Sequence, residues 1–391
     1  MCAGISKPVV AAMRVDDLPR TQLSQYYKLL DARAARSGDL QWVKYIDLGT
    51  QMVRLINYAD AFTPHVEKQL TYVLKGSMEH YGATLVIWQE KSIETLSSLL
   101  NPRLRIEKLR GQPVDPHFFV FDREYSRHHA VISIDAHARI VNAWNQQSNT
   151  YYYGVENLAP EEFIKQGHIF VQIFNKLLKT ASAGLAHAAA VGLNGKGVLM
   201  CARGQRGKTT LAVRSMLDGF DYVSDDYLVL GREEGGLYAW PIYSIITLSP
   251  MMWGDLYGRL EAKFVSNNSR KDKYVFNVGN YHHRFASRYP IQCCMFTQII
   301  PDSEPSIVKC TQAGKGRAIA QLVHSTINQM GDKHDIANIN KLMGFVSDLP
   351  FYQINLCRDI EKNQHCLRAF LETGICGQQT NQAGMLNSRS R

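Results

Sequence analysis

Residues 184–191 read G-L-A-H-A-A-A-V, residues 197–212 read G-V-L-M-C-A-R-G-Q-R-G-K-T-T-L-A, and residues 222–230 read Y-V-S-D-D-Y-L-V-L. The middle stretch decides the fold. An apolar run from Gly197 to Cys201 feeds a loop containing Gly204 and Gly207, and Lys208-Thr209-Thr210 opens a helical run from Leu211 to Leu217. Strand, glycine-bearing loop and helix in that order are what a phosphate-binding P-loop requires. Loop amides point at phosphate oxygens, and the helix N-terminus adds positive potential. The residues expected to bind a nucleotide are therefore Arg203, Gly204, Gln205, Arg206, Gly207, Lys208, Thr209 and Thr210. Lys208 is expected on the β/γ-phosphates and the Thr209 hydroxyl on Mg²⁺. Ala202 stands where the P-loop pattern has its first glycine, the smallest departure the loop can carry.

The flanking stretches add reactive groups to the cradle. Asp225 and Asp226 follow Lys208 by 17 and 18 residues, beyond a helix-length segment and Gly219, which reads as its C-cap. Tyr222, Val223, Leu228, Val229 and Leu230 make their setting apolar, and carboxylates are rarely buried without a partner. Adjacent residues of a strand face opposite sides, so one carboxylate is expected to point at the nucleotide and its neighbour elsewhere. His187 lies 21 residues before Lys208 and is expected to end or enter a strand next to the P-loop strand. Taken alone, a histidine in an apolar run reads as a core residue; its neighbours make it a candidate.

Together, H-A-A-A-V, the G-V-L strand, the loop ending G-K-T-T-L-A and the S-D-D-Y pair resemble the catalytic core of the HPr kinase/phosphorylase family, within the broad group of HPr-kinase-like proteins found outside sugar-transport regulation. The spacings from histidine to lysine and from lysine to first aspartate both match that family. The resemblance covers residues 184 to roughly 330. It implies an α/β (α+β) fold whose P-loop core is related to phosphoenolpyruvate carboxykinase, preceded by an N-terminal α+β domain. It also implies that His187, Asp225 and Asp226 are catalytic, one aspartate acting as base toward a hydroxyl and the other helping to hold Mg²⁺. The expected assignment is Asp225 as base, Thr209 and Asp226 as metal contacts, and His187 at the phosphoryl group or orienting the base; the two aspartates can exchange these roles. The chain departs from the family loop, G-x-[SG]-G-x-G-K-[ST], at Ala202 and Gln205, while Arg203 and Arg206 make the loop basic. No E-x-R-G-x-G segment follows Asp226, so HPr itself is not the expected acceptor.

Composition bounds the remaining classes. A chain of 391 residues, 45% hydrophobic, favours two domains, and no apolar run approaches the 18 or so residues of a membrane span. The N-terminus lacks a continuous apolar signal region, and Cys2 occupies the position a myristoylated glycine would need. Eight cysteines without C-x-x-C spacing indicate neither a zinc site nor a redox motif, and read as small apolar residues in a reducing cytoplasm. The net charge of +9 suits an anionic partner, and a nucleotide accounts for some of it. Nucleic acid ranks last among partners because the basic residues are spread out. Arg103-Leu104-Arg105 reads as a solvated face, whereas Arg270-Lys271-Asp272-Lys273, His282-His283-Arg284 and Arg288 are candidates to neutralise charge on a transferred phosphoryl group.

Along the chain, helices are expected at 20–37, 64–81, 160–180, 316–330 and 359–371, and strands at 84–88, 118–122, 130–135, 138–144, 295–301 and 351–356, with 130–135 and 138–144 an antiparallel pair. Phe163, Ile164, Phe170, Ile173, Phe174, Leu177 and Leu178 form an apolar stripe, so the 160–180 helix is expected to pack the N-terminal part onto the core. Tyr151-Tyr152-Tyr153 reads as a strand end packed on the core in preference to a base-stacking platform. The expected domains are 1–183, with acceptor recognition as a candidate role, the catalytic domain 184–375, and a disordered tail 376–391. The expected function is ATP- and Mg²⁺-dependent transfer of the γ-phosphoryl group to a hydroxyl of a protein, peptide or metabolite. The rival expectation is a nucleotide-binding regulator whose altered loop has lost turnover. Oligomeric state is left open.

Overall fold

In the first half of the chain one strand shows strict alternation of burial. On Met52–Asn57, Val53, Leu55 and Asn57 are buried and the residues between them are partly exposed, as a sheet with two unlike faces requires. The computed structural model describes residues 11–14, 20–36, 40–93, 95–96, 117–121, 130–135, 140–156, 168–178, 182–202, 206–248, 264–268, 273–277, 279–330 and 336–374. Strands β1 (Ala11–Arg14), β2 (Trp42–Asp47), β3 (Met52–Asn57), β4 (Leu74–Lys75), β5 (Ala83–Glu90), β6 (His117–Phe121), β7 (Ala130–Asp135), β8 (Ile140–Asn145) and β9 (Thr150–Glu156) form one sheet in the order β1-β6-β7-β8-β9-β5-β3-β2-β4. Helix α1 (Arg20–Arg36) covers one face, packing Tyr26, Tyr27 and Leu30 against Val86, Trp88 and Tyr152. The expected antiparallel pair is β7 with β8. The three tyrosines 151–153 are all buried within β9, so they serve the core.

One expected helix is much shorter than the periodicity suggests. Helix α2 spans Thr63–Leu70, and the chain then turns so that Leu74 and Lys75 pair with Ile46 and Tyr45 of β2. A free sheet edge therefore claims the segment that the apolar spacing assigned to helix as far as Tyr81. The expected 160–180 helix is described only from His168 to Leu178. There α3 spans Val171–Leu177, preceded by Phe170 in the left-handed conformation at φ 61°, which stops the helix from extending backward. Phe163 and Ile164 lie outside the described residues.

In the second half strands Ala183–His187 and Ala189–Leu193 are buried along their whole length, as a sheet with helices on both sides allows. Strands β10 (Ala183–His187), β11 (Ala189–Leu193), β12 (Lys196–Cys201), β13 (Asp221–Ser224), β14 (Tyr227–Glu233) and β15 (Gly236–Pro241) join β19 (Tyr289–Ile299) in the order β10-β14-β15-β19-β12-β11-β13; β20 (Ser306–Lys309) and β21 (Phe351–Leu356) continue from β19. A three-stranded sheet holds β16 (Ile245–Leu248), β17 (Phe264–Asn268) and β18 (Lys273–Asn277). Helix α4 (Lys208–Leu217) and the last helix, α7 (Ile360–Thr373), share a core on one face of the large sheet; α5 (Gln312–Met330) and α6 (Ile336–Val346) lie on the other. Burial of Leu211, Val213 and Met216 fixes α4 to the sheet, at about 1.5–3 kcal/mol for each large side chain. Asp359 caps α7, accepting from the backbone N–H groups of Glu361 and Lys362.

The chain is thus a mixed α/β protein, in keeping with the α+β class. A common core joins its two large sheets: Ile46, Leu55, Phe62 and Leu85 cluster with Phe170, Phe174, Leu185, Val229 and Trp240. No helix among the described residues is long and apolar enough to cross a membrane. Cys366 is disulfide-bonded, whereas Cys201, Cys293, Cys294, Cys310 and Cys357 are free, so the reading of every cysteine as a reduced apolar residue fails at Cys366. Arg103-Leu104-Arg105 and the tail 376–391 lie outside the described residues.

Candidate active site

The site begins where a strand ladder is interrupted. His187 pairs with Tyr227 at the end of β10–β14, and Ala190 pairs with Ser224 at the start of β11–β13. Both pairs belong to one antiparallel register, so Ala188 and Ala189 stand opposite Asp226 and Asp225 where the ladder is open. The Ser224 hydroxyl bridges the break, donating to the Tyr227 carbonyl at 2.7 Å and accepting from the Asp226 N–H at 3.4 Å. The aspartates therefore occupy a bend between strands, not a strand as the sequence suggests. Nor does β10 adjoin β12, the strand before Lys208: its ladder partner is β14, and β11 and β19 flank β12.

The two carboxylates are inequivalent. Asp225 is buried and its Oδ1 accepts from the Tyr222 hydroxyl at 3.0 Å. Burial and the neighbouring carboxylate together push the Tyr222 phenol well above its usual range, so it stays a donor. Asp226 turns the other way. Its Oδ1 contacts His187 Nε2 and lies 3.9 Å from Lys208 Nζ, and its Oδ2 lies 3.4 Å from His168 Nδ1. Burial by itself would raise the Asp226 carboxyl, but His187, His168 and Lys208 outweigh it and hold the group well below the usual carboxylate range. An ionised carboxylate only accepts, so His187 Nε2 carries a hydrogen; in a neutral ring Nδ1 then accepts from Ser325 Oγ, its contact on α5. Thr326, the next residue of α5, accepts from the His187 backbone N–H at 2.9 Å.

Helix α4 meets this cluster through Lys208. Gly207 is the N-cap of α4 with φ 83°, and a Cβ there would meet Leu356 Cδ1 at 2.5 Å, so both backbone and space call for glycine. Thr297 of β19, fully buried, donates to the Arg206 carbonyl at 2.7 Å and anchors the loop's end. Lys208, at the first turn of α4, is buried, and its ammonium donates to the Asp225 backbone carbonyl. Thr209 and Thr210 follow it, both partly exposed. Arg203, Gly204 and Gln205 lie outside the described residues. Cys201 ends β12, but burial pushes its thiol up to about 12, so it is no nucleophile.

Of the sequence candidates, the structure thus brings His187, Lys208 and Asp226 together and turns the Asp225 side chain toward Tyr222. Two arginines of the basic cluster do other work. Arg284 donates to the Gly219 carbonyl just beyond the C-terminus of α4, the end away from Lys208, and Arg288 pairs with Glu233. Arg270, Lys271 and Asp272 lie outside the described residues. Sequence reasoning missed His168, Ser325 and Thr326, none of which belongs to a motif.

Among the described residues no group of three or more His, Cys, Asp or Glu could hold a metal ion. Thr209 and Asp226 nonetheless offer the hard oxygen donors that Mg²⁺ takes, and a nucleotide-bound Mg²⁺ draws most of its remaining ligands from phosphate and water.

No family model and no curated protein matches this chain. Among solved structures, the HPr(Ser) kinase/phosphatase from Coxiella burnetii is similar over 49% of this chain and 88% of its own, at 12% identity and a TM-score of 0.28. A likeness that weak carries no argument about the site, and the functional reading rests on the geometry above.

Proposed function

We propose that the chain is a nucleotide-dependent phosphotransferase that moves the γ-phosphoryl group of ATP to a hydroxyl. The observation that carries this is the approach of Lys208, first residue of the helix after a left-handed Gly207, to 3.9 Å from a carboxylate that a histidine holds. A P-loop alone binds phosphate; a cation, an ionised carboxylate and an imidazole at the same point also offer charge neutralisation and proton acceptance.

In this reading the loop amides and Lys208 hold the β/γ-phosphates. Lys208 exchanges its contact with the Asp225 carbonyl for phosphate oxygen. The Thr209 hydroxyl and the Asp226 carboxylate would help hold Mg²⁺, which would supply neutralisation of phosphate charge. The acceptor oxygen forms the new P–O bond as the bond to the β-phosphate bridging oxygen breaks. The acceptor's proton passes to the Asp226 carboxylate, and ADP leaves with the electron pair. This moves the role of base from Asp225, where the sequence reading put it, to Asp226, which faces the reacting side, and leaves Asp225 supporting Lys208 and Tyr222. Asp226, held below the usual carboxylate range by its neighbours, is a weaker base than an ordinary aspartate, so positioning and charge stabilisation supply most of the rate.

Incubation with γ-labelled ATP and Mg²⁺, with mass spectrometry of treated cell extract for a gain of one phosphoryl group, tests the proposal. Label appearing on a hydroxyl-bearing molecule supports it. Saturable ATP binding without turnover would favour the regulator, and no binding would sink both.

A further inference from the structure

Asp226 is held at both of its oxygens, and the second contact comes from outside the three sequence motifs. The His168 ring is 7% exposed, with its Nδ1 3.4 Å from Asp226 Oδ2. Aromatic rings wall it in, Tyr227 at 4.9 Å between centroids and Tyr243 at 4.5 Å. The turn that carries it is tied from two sides. The Ile169 N–H donates to Gln69 Oε1 of α2, at 3.1 Å, and the Tyr243 hydroxyl donates to the Ile169 carbonyl at 2.5 Å. The next residue, Phe170, holds a left-handed φ of 61°, a conformation that a bulky side chain keeps only when its surroundings impose it.

The consequence follows from torsional freedom. The terminal torsion of an aspartate is broad, so a contact from His187 to one oxygen leaves the plane of the carboxylate free to turn about that contact. A second partner on the other oxygen removes that freedom. We infer that His168 is a positioning residue that fixes the plane of the Asp226 carboxylate and keeps Oδ1 toward Lys208. The kinetic consequence rests on the phosphotransferase reading, whereas the contact itself does not. Through the Gln69 tie, the first half of the chain takes part in setting the geometry of the site.

Two substitutions separate positioning from packing. His168→Phe keeps a ring between Tyr227 and Tyr243 but has no nitrogen; His168→Asn puts an amide nitrogen near the place of Nδ1 and gives up the rest of the ring. Misplacement of a catalytic group costs on the order of ten- to a hundredfold, so His168→Phe is expected to lose that much kcat with nucleotide Kd unchanged within about twofold. His168→Asn is expected to recover most of the kcat despite a lower melting temperature. Full kcat in His168→Phe, or losses in both variants that track stability alone, would overturn the inference. A double-mutant cycle of His168→Phe with Asp226→Asn, read as the urea midpoint, needs no turnover: non-additive midpoints are expected, and additive ones would show that the pair does not interact. If the parent neither binds nor turns over ATP, the phosphotransferase reading fails, and the cycle still decides the His168–Asp226 pair.

Discussion

Replacing Asp226 by asparagine keeps its shape and removes one charge from the middle of the site. Lys208 Nζ is 3.9 Å from Asp226 Oδ1. At an effective dielectric of about 20, two unit charges at that distance attract by roughly 4 kcal/mol. Desolvation offsets much of this, because the aspartate side chain is 21% exposed and the lysine side chain 9%. If about a third survives as a net pull, some 1.4 kcal/mol, its removal makes Lys208 more available to phosphate and tightens binding of Mg²⁺-free nucleotide about tenfold. Turnover should move the opposite way, falling about 10²–10⁴-fold with the loss of the proton acceptor. Calorimetric titration with a non-hydrolysable ATP analogue reads the first effect, and release of labelled product reads the second. An Asp226→Asn protein that binds nucleotide tenfold more weakly yet turns over normally would refute the reasoning. Stability gives an independent check. Because the folded-state carboxyl is held well below its ordinary value, its contribution is fully present above about pH 4 and fades as the pH falls below that. Asp226→Asn should therefore be less stable than the parent at pH 7, with the gap narrowing under acid conditions in urea melts.

Lys208→Ala removes a charge-assisted contact to phosphate worth about 1.5–3 kcal/mol, so calorimetry should show ATP affinity at least about tenfold weaker; undiminished affinity would end the P-loop assignment. Gly207→Ala forces a Cβ into a left-handed residue, at roughly 1–2 kcal/mol, and against Leu356 Cδ1, so its thermal midpoint should fall and nucleotide binding weaken with it; a parent-like midpoint would contradict the described loop end. Ser325→Ala takes away the partner of His187 Nδ1, a hydrogen bond worth about 0.5–1.5 kcal/mol, and should lower kcat about three- to tenfold at unchanged nucleotide Kd; a change confined to Kd would place Ser325 in binding instead.

The elements most legible in the sequence are those whose signals are contiguous. The strand–loop–helix order around Lys208 could be read because an apolar run, a left-handed glycine and a helix-opening lysine lie within a dozen residues. The final helix was readable from Asp359 and its apolar spacing, and β21 from F-Y-Q-I-N-L. Reading failed where a distant partner competed. Residues 74 and 75 pair with β2 although local periodicity favours helix, and the adjacent aspartates occupy a gap in a ladder that only strand register reveals.

The sequence by itself determined which groups could do chemistry: a lysine after glycine, a histidine 21 residues before it, and two carboxylates 17 and 18 after. Only the tertiary structure decided which carboxylate faces Lys208, and which further side chains join it. Ser325 meets His187 from 138 residues away, and His168 reaches Asp226 from a turn outside the second sheet. Such contacts leave no local pattern, because they depend on where sheets and helices pack and not on the spacing of neighbouring residues. The difference between Asp225 and Asp226 has the same origin: the two are identical in chemistry, and their orientations are set by Tyr222 on one side and by His187, His168 and Lys208 on the other.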